Sequence, residues 1–504
     1  MAGPRSRPRP AGPGAVATVV VVVGVALGTT CLTATRARAA ASAGHRQTAA
    51  HGAPMARRAS ASQRAWVPHR VVVGYRVPTW SPAPMQARLA GFEAASRPLG
   101  GPTPRGRRAA LHTRVVRVPA GESVRSAIAR LRRRRGVAYA EPDYVAHAAG
   151  MFYPDDRGAA GVPHGWVRQQ WDLLPRAGVD APEAWANLLA DGRPGGRGVT
   201  VAVLDTGVAY RNWGRFRVSP DLRQTRFVAP HDFVADNRFP LDRDGHGTLV
   251  ASVIAEATNN RIGLTGLAYG ASIMPLRVLN AAGEGNASTI AEAIRYAVAH
   301  GADIINMSFE FLPSQVRSGR QIPEVVSAIR DARRHDVMVV AAAGNDDLRE
   351  LAYPARVRGV VAVGATTRDG CLANYSNSGP SLDLVAPGGG PDALQPHDPA
   401  CHPSRTLPPI YQMTLSDPPH WSRFGYPSSY IGTSMSAPLV AAAAALVISS
   451  RVIGPNPTPN QVLHRLEQTA TPLPRGSRGR NSTYGYGLLD AGAATQPMAT
   501  ANAP

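Results

Sequence analysis

Lysine is missing altogether, so all 55 basic side chains of this 504-residue chain are arginine. A uniform choice of one base reads as coding bias, and nothing functional follows from it. Acids are missing from residues 1–39, which carry 5 arginines, and are scarce in residues 40–150, where 19 arginines face 4 acids. Residues 151–504 are nearly balanced, with 31 arginines against 30 acids. The formal net charge of +21 therefore sits on the leading segments. A nucleic-acid binder needs its basic stripe on the working domain, so no nucleic-acid partner is expected. Long apolar runs are lacking too. The run at residues 15–27 is shorter than the roughly 20 residues that span a bilayer, and no later stretch could span one. Multi-span membrane, collagen-like and wholly disordered chains are excluded by this and by a composition 44% hydrophobic and 18% charged. At roughly 100 to 200 residues per domain, two or three folded units fit.

Arg5, Arg7 and Arg9 precede the apolar run, and Ala37-Arg38-Ala39 follows it as a small-x-small cleavage site. This pattern predicts a signal peptide over residues 1–39 and a mature protein without a stable membrane span. An uncleaved N-terminal anchor is the alternative, and a lipoprotein at Cys31 fits less well. Residues 40–68 are Arg/Ala-rich without apolar periodicity and read as a flexible leader. Residues 69–148 read as a small α+β unit. It has strands at 71–73, 113–118 and 137–145, a helix at 85–95, and a second helix capped by Ser123, running to Arg135 and ended by Gly136. The arginines 132–135 read as a solvated helix end, or else as a processing or docking element.

Beyond residue 151, β-rich runs at 199–204, 273–279, 303–307, 337–342 and 360–363 alternate with helical patterns at 248–257, 288–300, 322–335 and 437–450. The alternation predicts an α/β fold with a mostly parallel sheet flanked by helices. The Pro-rich segment 391–429 breaks the pattern and reads as a surface insertion near a functional edge.

Three segments carry candidate chemistry. Asp205 directly follows an apolar strand, at the carboxyl edge where such sheets place ligand chemistry. His246 sits between glycines ahead of a helical apolar face; alone, it would read as structural. Ser434, in Gly-Thr-Ser-Met-Ser-Ala-Pro, leads into an Ala-rich helix whose start offers amides and a positive dipole end; alone, it would read as an N-cap. Together they change the reading. A serine needs a neutral imidazole to take its proton and a buried carboxylate to hold the imidazole's tautomer. Asn345, after the strand at 337–342, can donate its amide to an oxyanion, with the Ser434 N–H as partner.

Four motifs in the order Asp, His, Asn, Ser make the chain resemble the subtilisin-like serine proteases, the subtilases or peptidase S8 family. Further likeness lies in NNRIGLTGLA at 259–268, GADIINMS at 301–308, AAAGN at 341–345, YSNSGP at 375–380 and YGYGLLDA at 484–491. The resemblance implies a secreted serine endopeptidase with the triad Asp205, His246 and Ser434, and Asn345 in the oxyanion hole. It implies an inhibitor I9-like propeptide at 69–148, made as part of a zymogen and acting on its own enzyme, with a subtilisin-like domain over 151–504. Protein or peptide substrates, a monomer and extracellular location are expected, with periplasmic or anchored location as alternatives. No cofactor is expected for the chemistry. A structural Ca2+ is implied by Asp156, Asp221 and Asn260, which resemble oxygen ligands of the family's strong site, ordinary turn chemistry being the alternative.

Gly283 and Gly285 resemble the segment that pairs with substrate as an added strand, and Ser308 resembles a substrate-lining residue. The chain also departs from the family. Leu249 and Leu439 replace the usual histidines, a change explained if the two pack behind the triad. Phe309 and Glu310 replace Leu-Gly, so Glu310 would narrow the pocket for the residue before the scissile bond or favour a basic side chain there. These departures leave open a catalytically impaired subtilase-like binding protein. After signal removal, Cys371 and Cys401 remain, and an oxidising location favours a disulfide over two free thiols.

Overall fold

A computed structural model of the chain describes residues 18–20, 66–77, 96–98, 110–144, 151–395, 400–477 and 479–497. It divides into two units, His45–Ala149 and a larger one comprising Met1–Gly44 with Gly150–Pro504.

In the smaller unit the strand Trp66–Val77 pairs antiparallel with Ala110–Arg117 and Val137–Tyr144, while Ser96–Pro98 extends the sheet. Val71, Val73 and Val116 alternate onto one face and bury against Ala127 and Leu131 of the helix Val124–Arg132. Ser123 caps that helix by accepting from the Ser126 N–H at 3.1 Å. The helix stops three residues before the expected Arg135. Arg132 is no free end: it donates to the Ala140 carbonyl at 3.1 Å and pairs with Glu141. The helix expected at 85–95 lies outside the described residues.

The larger unit is built on a parallel sheet. Its strands run in the order Leu384–Pro387, Val361–Thr366, Met338–Ala342, Ile304–Met307, Thr200–Asp205, Ser272–Arg277, with Arg226–Phe227 and His231–Asp232 at the far edge. Period-two alternation divides the core between two faces. Val201 and Val203 join one cluster with the helices His246–Ala255 and Thr433–Ser450, while Ala202 and Leu204 join another with Ala287–Ala299 and Pro323–Arg334. The chain steps from Thr200–Asp205 to one side and then returns to Ile304–Met307 on the other. This reversal makes a switch point, whose crevice lies off the carboxyl ends of those two strands. Asp205 and Ser308 stand there. Thr433–Ser450 is long and apolar enough by composition to cross a membrane, but every residue in it except Ile448 is buried in the fold.

Many described residues of the segment 391–429 are exposed, but its stretch 409–415 enters the core. Ile410, Gln412, Met413, Thr414 and Leu415 are buried, and Thr414–Leu415 pairs with Phe424–Gly425. The Met413 carbonyl accepts from Ser252, and Thr414 donates to the Gly245 carbonyl, which lies beside His246. Cys371 and Cys401 form a disulfide across 30 residues. The strand Leu384–Pro387 and the helices Ala181–Ala190 and Pro459–Thr469 are additional to the sequence reading.

Candidate active site

The carboxylate comes first in the chain. Asp205 ends its strand fully buried, and its Oδ1 accepts from the Thr206 N–H at 2.7 Å and from His246 Nδ1 at 2.8 Å. His246 opens its helix at a turn organised by a residue that the sequence reading passed over. Buried Asp242 accepts from the N–H groups of Asp244, Gly245 and Thr248 and from the hydroxyls of Thr206 and Thr248, all within 3.0 Å. Its position four residues before the histidine, in Asp242-Arg243-Asp244-Gly245-His246, was the available signal. Gly247 is required by approach: a Cβ there would lie 2.2 Å from the Gly207 carbonyl. Burial works against a charged His246. The charge and hydrogen bond of Asp205, aided by Asp244 and Asp242, outweigh it and raise the imidazole above its ordinary value.

Ser434 is not the N-cap. The helix starts at Thr433, earlier than the expected 437, and Gly432 holds the cap position with φ +148°. Pro438 consequently lies inside the helix and has no N–H for the Ser434 carbonyl. The Ser308 hydroxyl takes that place at 2.8 Å, and the Ser434 hydroxyl donates back to the Ser308 carbonyl at 3.0 Å. His246 Nε2 is buried without a hydrogen-bond partner, so the serine and the imidazole are not bonded in this arrangement. Their helices pack against each other, and Leu249 and Leu439 are both fully buried in the one cluster beneath them.

Asn345 follows the strand Met338–Ala342. Its Oδ1 accepts from the N–H and hydroxyl of Thr433 at 2.8 and 3.0 Å, which aims its amide nitrogen away from that helix. Glu310 is only 2% exposed. Its Oε1 accepts from the Asn345 N–H at 3.1 Å and from Asn345 Nδ2 at 3.4 Å. Burial, then the charge of Asp346, push its carboxyl up to about 8. Gly283 and Gly285 flank Glu284, and a Cβ on Gly285 would lie 2.6 Å from the Val278 carbonyl. The strands Glu284–Asn286 and Glu310–Phe311 take Thr18–Val20 between them as an antiparallel third strand, with Val19 opposite Gly285 and Phe311. The edges are therefore open to strand addition.

Asp156, Asp221 and Asn260 also meet. Asp156 accepts from the N–H groups of Asn259 and Asn260 at 2.7 and 2.9 Å; Asp221 accepts from the Asn260 side chain at 2.7 Å and from the Leu264 N–H at 2.9 Å. Glu256, unmarked by the sequence reading, is buried with neither carboxyl oxygen bonded. Burial, and then these carboxyls' mutual repulsion, raise Asp221 to about 8 and Glu256 well above its ordinary value. Such crowding complements a divalent cation in charge. Asn260, however, turns its nitrogen to Asp221, so it would have to flip to ligate. Among the described residues no three acids, histidines or cysteines are assembled around one point.

Residues 196–487 match the model of the subtilase family, Peptidase S8, and residues 52–143 match that of the fervidolysin N-terminal prodomain. The chain belongs to the subtilase family. It is 36% identical to a thermostable alkaline protease of Halalkalibacterium halodurans, over 60% of this chain and 68% of that one. To subtilisin Savinase of Lederbergia lenta it is 35% identical, over 60% of this chain and 92% of the relative. A protease structure from Pseudoalteromonas arctica, 29% identical, covers 68% of this chain and 99% of its own at a TM-score of 0.54. This subtilase is a subtilisin-like serine endopeptidase with a prodomain.

Proposed function

We propose that this subtilase cleaves peptide bonds by acylating Ser434. The Ser434 hydroxyl leaves the Ser308 carbonyl and passes its proton to His246 Nε2 as its oxygen bonds to the scissile carbon. Asp205 holds the Nδ1–H tautomer and stabilises the imidazolium. The Asn345 amide and the Ser434 N–H receive the oxyanion. The carbon–nitrogen bond then breaks, the amine takes its proton from His246, and water, deprotonated by the same imidazole, releases the acid. The buried Asp205–His246 hydrogen bond of 2.8 Å, on a helix packed against that of Ser434, carries this reading. Leu249 and Leu439 form an apolar backing in place of the family's histidines. Substrate enters as a strand between 284–286 and 310–311.

Residues 1–39 direct export, and the prodomain restrains the enzyme until it is cut away. Asp156 and Asp221 would be the carboxylate ligands of a calcium ion that stabilises the fold and takes no part in the chemistry, with Asn260 joining them once its amide is turned over. The Ser434–Ser308 bond favours one competing reading, an impaired binding protein. Labelling with an organofluorophosphate separates the two. The purified protein is expected to react at one serine, and Ser434→Ala to lose the label. An unlabelled wild type would end the endopeptidase reading. N-terminal sequencing of the labelled, secreted form is expected to start near residues 147–153, and a start still inside the prodomain would contradict processing.

A further inference from the structure

Glu310 stands where the family carries glycine, and its carboxyl is turned inward onto Asn345. The asparagine's Oδ1 is committed twice to Thr433, so its amide cannot turn over without losing both bonds. Its two amide hydrogens are thereby divided: one approaches Glu310 Oε1 and the other is left for substrate. The same Oε1 holds the Asn345 backbone. Oε2 is buried with no partner, as is the Nδ2 of Asn377, and the two lie 2.7 and 2.2 Å from where a Gly344 side chain would begin. A carboxyl thus sits one side chain away from the place where negative charge develops. Of the charged groups around it, Asp346 bears on it from the Asn345 loop. The segment pairing with Phe311 presents Tyr353, whose ring turns to Gly319 and Arg356. Around Gly344, which Oε2 adjoins, stand the Asn377 amide, the Ala352 methyl and the Thr433 hydroxyl, none of them charged, and Val20 is paired with Glu310 across the added strand.

We propose that Glu310 is a positioning residue for Asn345 that works in its neutral, protonated form, and that its ionisation shuts the oxyanion hole. The proposal rests on the oxyanion role given above to Asn345. A protonated carboxyl orients the amide through its oxygen without opposing the transition state. A carboxylate keeps the contacts but places like charge beside the oxyanion in a dry site, where such repulsion is large. The sign follows from burial, to which the strand Thr18–Val20 paired with Glu310 contributes in the full chain and a substrate strand in the same place would contribute in the working enzyme. Glu310 keeps its proton above the ordinary carboxylate range, up to about 8, so the working form is lost as pH rises.

The test is kcat and KM against pH from 6 to 10 on a peptide substrate, with melting curves at each pH. Wild type is expected to lose roughly tenfold or more in kcat between pH 7 and 10 while folded, with KM little changed. Glu310→Gln keeps the two acceptor contacts and cannot ionise, so its alkaline fall should vanish. Glu310→Gly, the family's residue, should also lack the fall and serves if the glutamine variant does not fold. A wild type with no alkaline fall, or a variant with the same fall, overturns the proposal. Asn345→Ala separates the two readings. It should cost on the order of a hundredfold in kcat at pH 7, and an unaffected rate there would sink the oxyanion assignment itself.

Discussion

Asp172 is a carboxyl enclosed by Trp171, Leu173 and their neighbours, with neither oxygen hydrogen-bonded. Burial raises it to about 7. Unfolded, it titrates near 3.9, so the fold favours the protonated form. Its full stability is present below about pH 4 and is lost as pH climbs to 7, by an upper bound of about 4 kcal/mol. Asp172→Asn is therefore expected to raise Tm at pH 8 by much more than at pH 4. Equal shifts at the two values would contradict this account. The position illustrates what a linear reading misses, because nothing in Gln-Trp-Asp-Leu-Leu announces that the acid faces inward.

Elements were legible where periodicity set them. The strand Thr200–Asp205 falls within a residue of its expected limits because alternate side chains serve two buried faces. The helix of Ser434 begins before its apolar rhythm does, since Thr433-Ser434-Met435-Ser436 has none and is helical through tertiary bonds. One of those bonds, from Ser308 to the carbonyl that Pro438 leaves free, fastens the turn bearing Ser434. Ser308→Ala is expected to lower kcat about tenfold, with a stability loss of only about 1 kcal/mol. A variant with unchanged kcat would reduce that bond to a structural detail. The buried stretch 409–415 of the segment 391–429 is illegible for a related reason. Its buried residues are held by side-chain bonds to distant backbone, and these leave no period in the sequence.

On the scale of the whole molecule, the four catalytic candidates could be picked out 229 residues apart because each type has a chemical task and the chain order is distinctive. Their supports are less legible: Asp242 and Thr433 carry no chemistry of their own in the motifs, and Glu310 stands out as a pocket residue and not as a partner of Asn345, because a support is defined by what it touches. The acidic cluster behind the 258–264 loop ties residues near 156 to that loop. Calcium should therefore raise Tm by several degrees and a chelator should lower it, while Asp221→Asn should abolish the response; an identical melt with and without calcium would leave only turn chemistry. The disulfide acts over a comparable span, closing 30 residues for roughly 3 to 4 kcal/mol. The bond from Thr414 to the carbonyl next to the histidine has a practical side. Anyone trimming this protease to a shorter chassis would see 391–429 as dispensable packaging, yet excising it would unfasten the turn before His246 from behind. Safer cuts lie outside the stretch from 409 to 415.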